Sequence, residues 1–253
     1  MKDRVEQDIG AKRHLLDWDD IDWHLVDKRV RNLRRRIFRA TKNCQWNLVR
    51  SLMKLMLRSY SNLLHSVRKV TQQNKGRKTP GIDRQRVLTS KARAKLVKQL
   101  TEYEAWKARP AKRIYIPKAD GKQRPLGILT IKNRVAQAVV KNAIEPSWEA
   151  QFEPNSYGFR PGRGCHDAIV QCWQWTNQRR KHTWVLDADL KAAFDNISQQ
   201  FILDRVGMIP GRELIKQWLK AGYVEAEFLH ATTAGVQQGG VITLPTILRT
   251  SAP

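Results

Sequence analysis

Apolar residues recur at helical spacing through the first part of the chain. Val26, Val30, Leu33 and Ile37 stand four, three and four residues apart, which predicts an amphipathic helix with one buried stripe. A second helix follows, with Val49, Met53, Met56, Tyr60, Leu63, Leu64 and Val67 on its buried side. Ahead of the first helix, Trp18-Asp19-Asp20-Ile21-Asp22-Trp23-His24 is acidic and aromatic. Its aspartates suit the positive end of a helix dipole better than they suit a metal. Asn74 to Gly81 is a turn-rich break and the best boundary, and Leu88 to Tyr103 reads as a helix. Arg113 to Pro117 reads as a strand, Ala119 to Lys122 as a turn, and a second strand runs from Arg124 to Ile128. Together they predict a hairpin with basic residues at its tip. Asn133 to Glu145 is helical by pattern, with Pro146 as its stop. Asn155 to Gly164 is a glycine-rich basic loop leading into a helix from about His166. Thr183 to Leu186 is short, apolar and partly β-branched, which predicts a buried strand. Alternation then sets Asp187 and Asp189 on one face.

Charge sharpens this picture. The chain has 253 residues, with 47 Lys plus Arg against 23 Asp plus Glu and a formal net charge of +24. Such an excess favours a polyanionic partner, nucleic acid before a membrane surface. From Lys28 to Ile82 there are 16 Lys or Arg residues and no Asp or Glu. Arg29, Arg31, Arg34, Arg35, Arg36 and Arg39 fill much of the first helix outside its apolar stripe. A solvated helix usually mixes signs, because unrelieved positive charge repels itself. One sign over so long a stretch argues for phosphate contact, the alternative being a helix pair set against an acidic protein.

Other classes fall away. No apolar run is long enough for a transmembrane helix, and Lys2, Asp3, Arg4, Glu6 and Asp8 are unlike a signal peptide. Cys44, Cys165 and Cys172 form no Cys-x-x-Cys pair and read as reduced thiols of a cytoplasmic protein. Cys165-His166 with Cys172 lacks zinc-ligand spacing.

The candidate chemistry is spread along the chain in a definite order. Asp189 ends the predicted strand and could bridge magnesium, while Lys118 and Arg124 at the hairpin tip could clamp a triphosphate. Gln238-Gly239-Gly240 supplies a glycine-rich segment. Nucleotidyl transfer depends mainly on positioning and charge neutralisation, and these are the parts it requires.

Residues 79 to 242 resemble a group II intron-encoded reverse transcriptase and maturase. The strings that carry the resemblance are Thr79-Pro80-Gly81-Ile82-Asp83, Ile114-Tyr115-Ile116-Pro117-Lys118 through Arg124-Pro125-Leu126-Gly127-Ile128, and Asn155-Ser156-Tyr157-Gly158-Phe159-Arg160-Pro161-Gly162. Asp189-Leu190-Lys191-Ala192-Ala193-Phe194-Asp195 and Gln238-Gly239-Gly240-Val241-Ile242 complete the series in the family's order. The resemblance implies that Asp189 and the backbone carbonyl of Leu190 bind Mg2+, with Asp189 the catalytic carboxylate. It implies that Phe194 selects the deoxyribose, that Lys118 and Arg124 hold the triphosphate, and that Ala193 and Gln238 line the nucleotide pocket. Asp187 and Asp195 read as structural, Asp195 capping a helix that starts near Ser198. The implied partners are intron RNA, an RNA/DNA template-primer and a deoxynucleoside triphosphate, with RNA gripped by the arginine-rich helices.

The departures matter as well. Gln237 stands where the family usually has Pro, Thr243-Leu244 where it has Ser-Pro, and Asn133 where an Asp commonly precedes the Arg. Residues from Thr243 to Ala252 no longer follow the family and resemble an altered reading frame. No Tyr-x-Asp-Asp occurs in the chain. Two-metal catalysis needs carboxylates from two places, so little polymerase activity is expected of these residues alone. RNA binding, or a gene remnant without a role, are the alternatives. The expected fold is α+β. Residues 1–78 would form a basic helical extension, 79–182 the fingers, and 183–253 the partial palm of a right-hand reverse transcriptase.

Overall fold

A computed structural model describes residues 17–101, 107–117, 121–177, 184–189, 193–236 and 240. It is a mixed helical and sheet protein, in line with the α+β expectation. Helix α1 spans Trp23–Lys42 and is capped by Asp22, whose side chain accepts from the Leu25 N–H at 3.0 Å. The acidic opening thus serves a helix start, and Val26, Val30, Leu33 and Ile37 are all buried. The second apolar stripe forms two helices, α2 (Trp46–Arg58) and α3 (Tyr60–Arg68), and not one. Between them Ser59 is extended, with φ −70° and ψ 120°. Tyr60, which the periodicity places inside, falls at this corner and is 47% exposed. A π-helical turn (Lys69–Gln73) and a 3-10 turn (Lys75–Lys78) lead to α4, Ser90–Thr101.

Strands β1 (Ala111–Pro117) and β2 (Gln123–Ile128) form the predicted hairpin, with Ile116 opposite Arg124. Helix α5 follows at Ile131–Glu149, then α6 (Cys165–Thr176), the short α7 (Ala193–Asn196), α8 (Gln199–Val206) and α9 (Arg212–Lys220). Strands β3 (Tyr223–Glu225) and β4 (Phe228–His230) complete a four-stranded sheet in the order β2-β1-β3-β4. β3 runs parallel to β1 and antiparallel to β4. This second hairpin has no glycine or asparagine turn signal. Ala226 and Glu227 take φ of 46° and 72°, a left-handed pair that Asn-Gly usually supplies.

Two further sequence expectations fail. Pro146 lies inside α5 and does not stop it, since the helix continues to Glu149. A proline removes one backbone hydrogen bond, and burial of Pro146, Ser147 and Trp148 against the rest of the fold outweighs that loss. The second is the apolar run before Asp187. Residues 184–189 form no strand, and Trp184, Val185 and Leu186 are 94, 76 and 90% exposed. A strand needs a neighbour to take up its ladder, and the sheet among the described residues is built from 111–128 and 223–230.

α5 holds the helices together. Most of its 19 residues are buried, and its two sides feed two separate cores. Ala136, Val140, Ala143, Ile144 and Trp148 meet α1, α2, α8 and α9. Ile131, Val135, Ala138 and Val139 meet Trp18, Val26 and residues of α3 and α4. A helix apolar on all sides is a central helix, and its polar positions must be matched. Asn62, fully buried, donates from Nδ2 to the Met56 carbonyl (3.0 Å) and the Val139 carbonyl (3.1 Å). It thereby adds a second bond to the Met56 carbonyl, which also accepts from the Ser59 N–H at 3.2 Å. Its Oδ1 accepts from Asn142 Nδ2 at 2.8 Å, and Asn142 Oδ1 accepts from Arg34 Nη1 at 3.2 Å. Arg34 Nη2 then donates to Glu145 at 2.6 Å, and Lys141 pairs with the same carboxylate at 3.3 Å.

Burial pushes the Glu145 carboxyl up, but Arg34 and then Lys141 outweigh it and hold the acid below its ordinary range. A depressed carboxyl adds stability above its unfolded value and loses it as the pH falls through the folded one. Urea unfolding is therefore expected to show a midpoint that drops as the pH falls below about 4.5, with a flatter acid limb in Glu145→Gln. At neutral pH, Glu145→Ala leaves Arg34 without its carboxylate and is expected to cost about 3 kcal/mol. In the second hairpin, replacing Ala226-Glu227 by Asn-Gly should raise the urea midpoint by an amount equivalent to about 1 kcal/mol.

Candidate functional site

The arginine-rich helix divides by geometry. Arg29, Arg31, Arg35, Arg36 and Arg39 are exposed, as are Lys28 and Lys42. At 100° per residue they occupy the arc opposite Val26, Val30, Leu33 and Ile37. Asp27 lies on the flank of that arc and is engaged by His65 at 2.8 Å and Arg68 at 3.5 Å. Arg34 is different. It points along the side of the buried stripe into the Asn142–Glu145 network and is committed internally. Its place among the candidate phosphate contacts is therefore taken by a structural ion pair.

The loop motifs are set against the start and end of α5. Gly81 packs on the helix start: a Cβ there would sit 2.6 Å from the Thr130 nitrogen and 2.7 Å from its Cα, so no larger residue fits without a backbone shift. Arg134 clamps the same loop, donating to the carbonyls of Leu129 (2.9 Å), Gly76 (3.1 Å) and Thr79 (2.8 Å). Asn133 donates its side-chain amide to the Arg109 carbonyl at 3.0 Å, a bond that an aspartate could not make when ionised. At the far end, Arg160 of the Tyr-Gly-Phe-Arg string is only 6% exposed. It holds Glu149 through two bonds of 3.1 and 2.6 Å and the carbonyls of Glu153 and Ser156. Phe159 beside it is left 69% exposed with a positive φ of 56°.

The aromatic turn meets Gly235 and Val236. The Phe194 carbonyl, in α7, accepts from the Val236 N–H at 2.7 Å, and the Ile197 carbonyl accepts from Gly235 at 2.8 Å. Gly235 has a φ of 75°, and a Cβ there would lie 2.7 Å from the carbonyl oxygens of both Phe194 and Asp195. Gln199, which the sequence patterns give no reason to single out, fixes this junction. Its side-chain amide donates to Leu219 (2.9 Å), Thr232 (3.4 Å) and Gly235 (3.4 Å). Ser198 caps α8 by accepting from the Phe201 N–H at 3.3 Å, so the capping role assigned to Asp195 belongs to Ser198.

Other candidates are placed less closely. Arg124 is exposed near the start of β2, and Asp187 and Asp189 are exposed on the irregular segment. Lys118, Leu190 and Gln238 lie outside the described residues, and of Ala193 only its place at the start of α7 is described. Among the described residues no group of three or more His, Cys, Asp or Glu could hold a metal ion. Gly235→Ala is expected to part Val236 from Phe194. Amide hydrogen exchange should then show lost protection at Val236 while the α5 amides stay protected.

The family described as "N-terminal domain of reverse transcriptase" matches residues 18–100, and "Reverse transcriptase (RNA-dependent DNA polymerase)" matches residues 116–248. Protein YkfC of Escherichia coli (strain K12) is 34% identical over 185 residues, covering 69% of this chain and 49% of that protein. Group II intron-encoded protein LtrA of Lactococcus lactis subsp. cremoris is 34% identical over 176 residues, covering 67% of this chain and 29% of that protein. Maturase-like protein 1 of Euglena gracilis is 30% identical over 140 residues, covering 54% and 31%. The chain thus spans less than half the length of these relatives. The α1–α4 helices, the β1–β2 hairpin and the ordered loop motifs fall within or beside these two matches: this chain belongs to the reverse transcriptases, with the group II intron-encoded proteins among its relatives.

Proposed function

We propose that the chain is the RNA-gripping and nucleotide-entry portion of a group II intron reverse transcriptase and maturase. The observation that carries this reading is the exposed arc of Arg29, Arg31, Arg35, Arg36 and Arg39 on α1, which faces away from the core and carries no carboxylate. Five guanidiniums on about half a helix surface repel one another unless phosphates lie between them. Intron RNA and the template strand are the polyanions the reading supplies. Residues 1–78 then act as the RNA-binding extension, 79–182 as fingers and 183–253 as part of a palm.

At the nucleotide end, the reading gives Lys118 and Arg124 to the triphosphate, Phe194 to the sugar, and Ala193 and Gln238 to the pocket wall. The Phe194–Val236 hydrogen bond supports it, because it joins the aromatic turn to the segment that leads into Gln238. Asp189 and the Leu190 carbonyl contribute to a divalent cation, Mg2+ being the ion suited to bridging phosphates. That ion needs donors beyond those described, so no catalytic step is assigned to these residues alone. The family reaction is RNA-directed DNA synthesis. In these 253 residues RNA binding stands ahead of it, because no Tyr-x-Asp-Asp is present. A cytoplasmic setting is in keeping with this reading, and no described helix is long and apolar enough to cross a membrane.

Filter binding to intron RNA over a salt series is expected to give a log–log slope of roughly −6 to −7. Exchanging Arg31 and Arg35 for Gln should make the slope shallower by roughly 1.5. Arg34→Gln should instead lower the urea midpoint. A slope near −1 for the unaltered chain would remove the reading. Primer extension on an RNA template tests the enzyme side, with signal near background expected. Robust extension that Asp189→Ala abolishes would place complete chemistry in this stretch and overturn the priority given to binding.

A further inference from the structure

The sheet carries an arrangement that neither the basic helix nor the nucleotide pocket uses. Tyr223 of β3 is level with Ala111 of β1 on one side and with His230 of β4 on the other. Alternation sets Arg113, Tyr115, Tyr223, Glu225, Phe228 and His230 on one face. There the Arg113 guanidinium carbon stands 3.3 Å from the centre of the Tyr223 ring. The His230 imidazole stacks on Tyr223 with centroids 4.9 Å apart and planes 14° from parallel. Cation, phenol ring and imidazole thus make one ladder across three strands.

The ladder ends in the open. Among the described residues β4 is the edge strand, with no strand beyond His230, and His230 is exposed. Tyr115 and Phe228 on the same face are 45 and 72% exposed. A ring pair that serves only to hold strands together gains most when its faces are buried, and these are not. Glu225 is the one carboxylate among the paired residues of this face. Its hydrogen bond with the Tyr115 hydroxyl is the main reason that phenol is pushed above its ordinary range. The carboxylate is thus engaged beside Tyr115, away from the His230 end.

An exposed π face backed by a second ring and a guanidinium suits another flat aromatic group. In a chain of net charge +24, the flat group that arrives attached to negative charge is a nucleobase. A base held in a duplex has both faces covered, so the ligand must be unpaired. We propose that the outer face of His230, backed by Tyr223 and Arg113, is a stacking site for an unpaired base of a single nucleic-acid strand. The proposal rests on the nucleic-acid-binding reading above and adds to it a second, non-electrostatic contact on the sheet.

The test uses the full chain and single-stranded RNA and DNA of one sequence, each carrying a fluorescent adenine analogue, beside duplex RNA. His230→Ala is expected to weaken single-strand binding by roughly 5- to 100-fold and to abolish quenching of the analogue. His230→Phe, which keeps a stacking face, should retain both, and neither change should alter duplex binding or the thermal midpoint. Loss with both RNA and DNA identifies the base as the ligand, and loss with RNA alone adds the sugar to it. Unchanged single-strand affinity and quenching in His230→Ala overturns the stacking site alone, as does an equal loss on duplex RNA. Failure of the unaltered chain to bind any of the three overturns the nucleic-acid reading and the stacking site together.

Discussion

The arrangement of the helices depends on one chain of hydrogen bonds, from the Met56 carbonyl through Asn62, Asn142 and Arg34 to Glu145. α5 is buried against α1, α2 and α3 on one side or another, and a helix so enclosed has nowhere to solvate a polar side chain. Each polar group it carries must find a partner from a neighbour in one register only. The Asn62 amide does this twice, joining the Met56 carbonyl near the end of α2 to the Val139 carbonyl of α5. Slipping α5 by one residue would strand an amide and a carboxylate in an apolar setting, at a cost of several kcal/mol. Leucine and valine can repack after such a slip, but this network cannot.

Registered in this way, α5 carries the loops at its two ends. Its start receives the Thr79-Pro80-Gly81 turn through the Gly81 contact and the bonds of Arg134 to Gly76 and Thr79. Its end receives the Tyr-Gly-Phe-Arg loop through Arg160 and Glu149. The arginines of the chain therefore do two kinds of work. Arg34, Arg134 and Arg160 fix carbonyls and carboxylates inside the protein, where the planar fork of a guanidinium matches its partners. Arg29, Arg31, Arg35, Arg36 and Arg39 keep their charge at the surface. Composition adds all of these into one net charge, and only packing separates them.

The sequence made the elements with strong periodicity legible. The stripe of α1, the β1–β2 hairpin and the position of α6 follow from spacing and turn residues. What it concealed has a physical cause in each instance. The corner at Ser59 depends on a tertiary bond from Asn62, and Pro146 is tolerated because its surroundings bury it. The β3–β4 turn uses Ala226 and Glu227 where a glycine signal would be read. The run Trp184-Val185-Leu186 looks like a buried strand because strand propensity describes a surface waiting for a neighbour, and no neighbour is there among the described residues. The site shows the same division. The motif order was legible, and Phe194 does meet the segment leading to Gln238. Gln199, which braces that meeting, carries no local signature, since a buried glutamine is identified only by the three carbonyls it finds.

Gln199 also shows how, among the described residues, the Phe194 turn is tied to the core. The Phe194 turn has no strand pairing, yet it is fixed by two backbone bonds to residues 235 and 236 and by the requirement that residue 235 have no side chain. Leu219, at the end of α9, accepts from both Gln199 and Thr232, so the turn is referred back to a helix whose Ile215 and Trp218 lie in the α5 core. Position is thus transmitted from the core to Phe194 through carbonyls and not through side-chain packing. The basic face of α1 is backed by the same core, in which Val30, Leu33 and Ile37 lie. A polyanion on α1 and a nucleotide near Phe194 would therefore be held in one frame, and the rigidity of that frame traces to the buried amides and the Glu145 carboxylate of α5.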